Sequence, residues 1–140
     1  MSRRLQSGVV VNYPYLWRWQ HERGRDNAEK ERPVCLAIAL WNEAQKLTLL
    51  VILPISGTEP LKDRRALEIP TLEIRRSGLS MFKQAWLTVD EYNYDIVERS
   101  YHYDPNQIPR GSFSPRFMEE IRQSVRPMLA EGLGRVDRTL

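Results

Sequence analysis

The first part of the chain alternates between short apolar segments and polar turns. Residues 33–40 and 47–53 are almost continuously apolar, and a polar stretch at 41–46 has the length of a hairpin turn. Apolar runs of this length are typical of strands that are buried on both faces or that lie in a tightly curled sheet. The pattern therefore predicts a buried β-hairpin over residues 33–53.

Three further segments carry weaker strand signals. Residues 8–13 include three consecutive valines, residues 66–69 alternate between apolar and polar positions, and residues 85–89 are mostly apolar. β-Branched residues and a period of two are what a half-buried strand requires. Together with the hairpin, these segments predict a mainly β fold.

Helix signals are scarce before Ser114. There a serine suited to an N-cap precedes Pro115, and a single apolar face follows, made of Phe117, Ile121 and Val125. Pro127 is expected to end or kink this helix. We therefore predict one domain over residues 1–126, mainly β with a C-terminal helix, and a tail over residues 127–140 that is frayed.

Composition excludes several classes of protein. The chain has 140 residues, 41% of them hydrophobic and 28% charged, which is ordinary for a globular domain. No apolar run approaches the roughly 20 residues that a membrane span needs, and the N-terminus lacks the apolar stretch of a signal peptide. We expect a cytoplasmic protein that does not bind a membrane.

Metal and nucleotide cofactors find no support in the sequence. Two separated histidines and the single Cys35 do not make a recognisable zinc set, and the seven glycines are scattered rather than gathered in a phosphate-binding loop. Because Cys35 lies inside an apolar strand, it is interpreted as a small core residue rather than a nucleophile. No cofactor and no metal are expected.

Arginine dominates the basic residues. Four of the 21 basic residues are lysine and the other 17 are arginine, although the net charge is only +3. The planar guanidinium suits phosphate, but genomic base composition also enriches arginine, and both explanations stay open. Because acidic residues lie close to most arginines in sequence, a local groove for nucleic acid is favoured over a uniformly basic surface.

The ends of the predicted hairpin carry the candidate chemistry. Arg32 and Pro33 precede the first apolar strand, and Ser56 follows the second. A guanidinium and a hydroxyl on rigid strand ends are suited to holding a phosphate. The alternatives are an arginine paired with a nearby carboxylate and a serine that bonds to the backbone of a turn.

The loop between residues 13 and 25 mixes aromatic residues with arginines. Such a mixture is a plausible platform on which bases of single-stranded RNA stack. The alternative is that the tryptophans pack against the domain or a dimer partner. The candidate RNA-binding residues are Tyr15, Trp17, Arg18, Trp19, His21 and Arg25.

Taken in order, these segments resemble the PemK/MazF-like toxins of type II toxin–antitoxin pairs. The resemblance covers roughly residues 8–125 and lies in the order and spacing of seven motifs. They are Gly8-Val9-Val10-Val11, Arg32-Pro33, Leu53-Pro54-Ile55-Ser56, Glu68-Ile69-Pro70, Gly78-Leu79, Val89-Asp90-Glu91, and Gly111-Ser112-Phe113-Ser114-Pro115.

The resemblance implies an SH3-like small barrel of the plasmid-toxin type, usually a homodimer, that is inhibited by an antitoxin protein. It also implies a metal-independent endoribonuclease that cleaves single-stranded RNA, such as mRNA, through attack by a ribose 2′-hydroxyl. Arg32 matches the family's arginine at the scissile phosphate, and Ser56 matches its threonine or serine at a strand end.

The general base is where the chain departs from the family pattern. Asn27 stands where the family loop often has a glutamate, and Asp26 and Glu29 are the nearest substitutes. Asp90 matches the aspartate of a later Arg-x-Asp pair, but Thr88 replaces its arginine. A non-catalytic member of the fold that binds RNA or protein therefore stays open, as does a toxin that poisons a protein such as gyrase.

Overall fold

The computed structural model describes residues 5–28 and 30–139 and shows a mainly β protein with a C-terminal helix. Within these ranges there are eight strands and three α-helices. The strands are β1 (Val9–Tyr13), β2 (Arg32–Asn42), β3 (Leu47–Ser56), β4 (Ala66–Glu68), β5 (Trp86–Thr88), β6 (Tyr92–Ile96), β7 (Gly111–Ser112) and β8 (Arg135–Asp137). The helices are α1 (Arg18–Glu22), α2 (Thr71–Arg76) and α3 (Pro115–Glu131).

The predicted hairpin is the centre of the sheet. β2 and β3 pair antiparallel, with Cys35 opposite Leu53 and Asn42 opposite Leu47. The outer side of β2 pairs with β1, which in turn pairs with β7. The first half of β3 pairs with β6 and its last residues pair with β5, which continues to β4. One long strand thus connects two groups of short strands.

Both faces of the central hairpin are buried, as its continuous apolar pattern predicts. Cys35 and Leu53 face a core that includes Ile121 of α3, and all three are fully buried. Leu36 and Ile52 belong to a second cluster on the other face. Cys35 is therefore a core residue, and burial raises the pKa of its thiol, which keeps it protonated and unreactive.

The predicted C-terminal helix begins where its capping signal stands. The Ser114 hydroxyl accepts a hydrogen bond from the Phe117 backbone N–H at 3.2 Å, and Pro115 occupies the first turn. The expectation that Pro127 ends the helix is wrong, because α3 continues to Glu131. Burial of Val125 and Met128 on either side of the proline holds the last turn on the core.

The prediction of a frayed tail is also wrong. Residues 127–131 complete α3, and β8 then pairs parallel with β6, with Val136 opposite Asn93. Val136 is fully buried and Arg138 is 4% exposed. A polar, glycine-containing sequence hid this strand because its partner lies about forty residues away in the chain.

Two short helices and strand β6 carried no usable signal in the sequence. α1 has only five residues, and its first turn is held by the buried side chain of Gln20, whose Oε1 accepts from the Trp17 N–H at 3.0 Å. α2 has six residues. Such short helices depend on tertiary contacts rather than on intrinsic propensity.

No helix in the described ranges is long and apolar enough to cross a membrane.

Candidate functional site

The sheet brings Arg32 and Ser56 to the same edge. Arg32 is the first residue of β2 and Ser56 is the last residue of β3. The antiparallel pairing of β2 and β3 ends at Val34 and Pro54, so Arg32 and Ser56 each lie two residues beyond the last pair. Both predicted strand ends are therefore at the same end of the hairpin.

Arg32 is half-buried and incompletely hydrogen-bonded. Its guanidinium carbon lies 5.0 Å from the centre of the Trp17 ring, which is cation–π geometry. Its Nε is buried and has no hydrogen-bond partner among the described residues. Burial lowers the pKa of Arg32, and the smaller opposing effect of nearby Tyr15 does not cancel this. An arginine nevertheless stays charged at neutral pH. A charged group of this kind, with donors to spare, is suited to binding an anion.

Ser56 bonds to the backbone of the turn that follows it. Its Oγ accepts from the Thr58 N–H at 3.0 Å and lies 3.2 Å from the Thr58 carbonyl oxygen, to which it donates. This is the turn-serine arrangement that was the alternative to a phosphate contact. Because the donated bond is long, the hydroxyl can turn toward a phosphate oxygen at small cost.

An open groove of about 430 Å³ lies at Ser56 and at Trp17, the ring that Arg32 contacts. Its walls are mainly apolar and include Trp17, Trp19, Ser56, Glu59, Arg64 and Thr88. We call it the tryptophan groove. Trp19 is 45% exposed, and the guanidinium carbons of Arg23 and Arg25 lie 5.3 Å and 5.6 Å from the centre of its ring. Aromatic faces and cations thus meet at one surface, as the mixed composition of the loop predicts.

Three polar side chains of one sheet face hold the first part of that loop. The Asn93 side chain accepts from Leu16 N–H at 2.9 Å and donates to the Leu16 carbonyl at 2.7 Å. Asp95 accepts from the Tyr13 hydroxyl at 2.7 Å. Glu91 accepts from the Tyr15 hydroxyl and from the Arg18 N–H. Because these three acceptors are almost completely buried, residues 13–18 are fixed to the sheet.

Arg138 fastens the same segment from the other end of the chain. Its Nη1 donates to the Pro14 carbonyl at 2.7 Å and to Asn93 Oδ1 at 3.2 Å. Its backbone N–H donates to the Tyr94 carbonyl just beyond β8. The C-terminal strand therefore contributes directly to the shape of the candidate site.

Asp90 is held by an arginine that the sequence analysis did not assign to it. Arg64 binds Asp90 through two bonds, from Nε at 2.8 Å and from Nη2 at 2.6 Å, and Nη2 also lies 2.7 Å from Glu91 Oε1. Burial raises the pKa of Asp90, but the bonds from Arg64 and the Arg65 N–H outweigh it and lower the pKa overall. Asp90 is thus paired with a guanidinium from another part of the chain.

Asp90 and Glu91 line a second, smaller groove of about 260 Å³ together with Arg18, Trp19 and Arg64. Trp19 and Arg64 border both grooves. The only sequence signal for Arg64 was its place in an Arg64-Arg65 pair. Its hydrogen bonds to Asp90 join residues 26 positions apart, so no local sequence pattern could indicate them.

The remaining predicted residues divide by exposure. Tyr15 is 1% exposed, and its ring packs edge-on against Trp17 with the ring centres 5.2 Å apart. It therefore packs beneath the surface beside Trp17 and does not offer a face on which a base could stack. His21, Arg25 and Asp26 are exposed on the loop. Arg18 is also exposed and pairs with Glu22 at 3.0 Å. Glu29 lies outside the described residues.

No family model, no curated protein and no solved structure matched this chain. Its function is therefore argued from the residues and the geometry above.

Proposed function

We propose that this chain is the toxin of a type II toxin–antitoxin pair and acts in the cytoplasm as a metal-independent endoribonuclease on single-stranded RNA. The observation that carries the proposal is the position of Arg32. Its half-buried guanidinium has an unpartnered Nε, stacks on Trp17 and begins the strand beside the one that ends at Ser56.

In the proposed reaction, the ribose 2′-oxygen attacks the adjacent phosphorus as a base removes its proton. The bond from phosphorus to the 5′-oxygen then breaks, and an acid protonates that oxygen. The products are a 2′,3′-cyclic phosphate and a free 5′-hydroxyl. Arg32 stabilises the negative charge that develops on the phosphorane oxygens, and the Ser56 hydroxyl donates to one of them.

The candidates for proton transfer differ in how free they are. Asp90 is engaged by both Arg64 bonds, and its lowered pKa keeps it ionised, which makes it a poor acid and a base only after Arg64 has moved. Asp26 and His21 are exposed on the loop that carries Trp19, where they are free to approach bound RNA. We therefore favour His21 and Asp26 over Asp90 as the source of acid–base chemistry.

The proposal extends to the fold type and the partners. An SH3-like barrel is supported by β3, which pairs with β6 through one half and with β5 through its end, as a strongly bent sheet requires. A homodimer and an antitoxin that covers the groove complete the proposal. Because residues 13–18 are held by buried hydrogen bonds, the antitoxin is expected to displace only the part of the loop beyond them.

A non-catalytic RNA-binding protein is the second candidate. The ion pair between Arg64 and Asp90 favours it, because this pair occupies Asp90, which lies between β5 and β6 and matches the family's acid–base residue. RNA would then be held by Arg32 and the tryptophan groove without being cut.

Incubating the purified protein with a fluorescent single-stranded RNA library in EDTA tests the proposal. We expect fragments that end in cyclic phosphate, and a loss of roughly 100-fold in rate for Arg32→Ala, since one donor to developing charge contributes about 3 kcal/mol. Arg116→Ala changes an exposed arginine on α3 and serves as the matched control. RNA binding without cleavage of any sequence would replace the enzyme with the second candidate.

A further inference from the structure

The tryptophan groove contains donors and acceptors that suit one particular base. Arg64 has five N–H groups, as every arginine does. Nε donates to Asp90, and Nη2 donates to both Asp90 and Glu91. Within the described ranges Nη1 has no partner, so two N–H groups remain available on a guanidinium that two carboxylates hold in place.

Arg64 belongs to both grooves. Asp90 and Glu91 line the smaller groove and not the tryptophan groove, whereas Arg64 borders both. Arg64, which the two carboxylates hold in place, therefore also forms part of the wall of the tryptophan groove, together with Trp17 and Trp19. Glu59 lines the same groove and adds a carboxylate acceptor.

We propose that the tryptophan groove binds one unstacked guanine of single-stranded RNA. Trp19 stacks on the base, Arg64 Nη1 donates to the acceptor O6, and Glu59 accepts from N1–H and N2–H. Adenine presents an amino donor where guanine presents O6, so it would face Arg64 with the wrong group. This inference rests on the proposed function for its substrate class and adds base selectivity to it.

The size and lining of the groove agree with this occupant. Its volume of about 430 Å³ lies in the range of sites for small ligands, and its walls are mainly apolar with a few polar groups. Base stacking on an aromatic side chain supplies affinity for any base, whereas the hydrogen bonds at Arg64 and Glu59 supply the choice among bases. Arg32, which contacts the Trp17 ring of the same groove, is then the candidate for binding the neighbouring phosphate.

Binding of short oligonucleotides separates this inference from catalysis. The probes are seven-residue uridine oligoribonucleotides, 2′-O-methylated to prevent cleavage, with guanine, inosine, adenine or cytosine at the centre. Fluorescence anisotropy is expected to show guanine bound about tenfold more tightly than adenine or cytosine. Inosine, which lacks the N2 amino group, is expected to be intermediate.

Variants assign the preference to named groups. Glu59→Gln, at an exposed side chain, is expected to abolish the preference for guanine over adenine and cytosine. Trp19→Ala is expected to weaken every probe about tenfold. Trp41→Ala, at the opposite end of β2 from Arg32, is the matched control and should change nothing.

Equal affinity for all four central bases would overturn the inference, as would a guanine preference that survives Glu59→Gln. The unmodified probes then test the proposed function separately. Cleavage without a guanine preference would sustain the proposed function and reject the inference. A guanine preference without cleavage would sustain the inference and reject the enzyme.

Discussion

The buried carboxylate of Glu91 holds the loop of residues 13–18 on the sheet. The side chain is 1% exposed and accepts three hydrogen bonds, from the Tyr15 hydroxyl, the Arg18 N–H and Arg64 Nη2. A Glu91→Gln substitution keeps the shape of the side chain but replaces one acceptor oxygen with an amino group. Whichever way the amide turns, its NH₂ faces at least one of the three donors.

The expected loss of stability follows from this count. One charge-assisted hydrogen bond is lost, at about 1.5–3 kcal/mol, and the other two weaken because their acceptor becomes neutral. Arg64 keeps its bonds to Asp90, which limits the damage. We expect Glu91→Gln to lower the free energy of unfolding by about 3 kcal/mol, which corresponds to about 10 °C in Tm.

Urea unfolding at pH 7, followed by tryptophan fluorescence, measures the effect. The matched control is Glu22→Gln, which removes an exposed ion pair with Arg18 from the same loop and is expected to cost no more than about 0.5 kcal/mol. Equal losses for the two variants would refute the claim that a buried polar network holds this loop. A change in the m-value without a change in the urea midpoint would also count against that claim.

Three further predictions concern Asp90, the C-terminal strand and a glycine turn. The pKa of Asp90 is lowered in the folded state, so the ionised carboxylate stabilises the protein above its unfolded-state pKa of about 4. Asp90→Asn should therefore lower the free energy of unfolding by about 1–2 kcal/mol at pH 7, and this loss should fade as the pH drops below 4. A loss that does not depend on pH would contradict the prediction. Val136→Ala should cost about 2 kcal/mol in urea unfolding, because the side chain is fully buried, and a cost near zero would indicate a frayed tail. Gly78→Ala should lower the free energy of unfolding by more than about 2 kcal/mol, because φ is +73° and a Cβ would lie 2.3 Å from the Arg110 carbonyl oxygen. Gly24→Ala, at φ +82° with nothing close to the added Cβ, is the control and should cost about 1 kcal/mol in thermal unfolding. Equal losses for the two variants would argue against the close contact at Gly78.

Part of the candidate site was accessible from the sequence because it depends on local signals. Arg32 and Ser56 were identified as the ends of two apolar segments, and the segment boundaries can be read from hydrophobicity alone. The mixture of tryptophans and arginines in the loop could also be read from composition, but composition left open whether the tryptophans pack or are exposed, and the structure shows Trp19 exposed. The role of Tyr15 could not be read, because a tyrosine in a polar loop gives no sign of a buried acceptor 76 residues away.

The partner of Asp90 illustrates what local motifs cannot provide. The resemblance implied an arginine at the position of Thr88, and the sequence offered no reason to look elsewhere. In the structure Arg64 reaches Asp90 from the connection that precedes β4. Only the packing of distant segments decides such a contact.

The sequence by itself determined the central hairpin, the three weaker strands and the start of α3, because periodicity, β-branched residues and a serine cap act over a few residues. The tertiary structure alone decided the rest. It fixed the loop at residues 13–18, buried strand β8, and brought Arg64 to Asp90 and Glu91. Each of these depends on polar groups that must find partners once water is excluded. Those partners lie far away in the chain, where no local pattern records them.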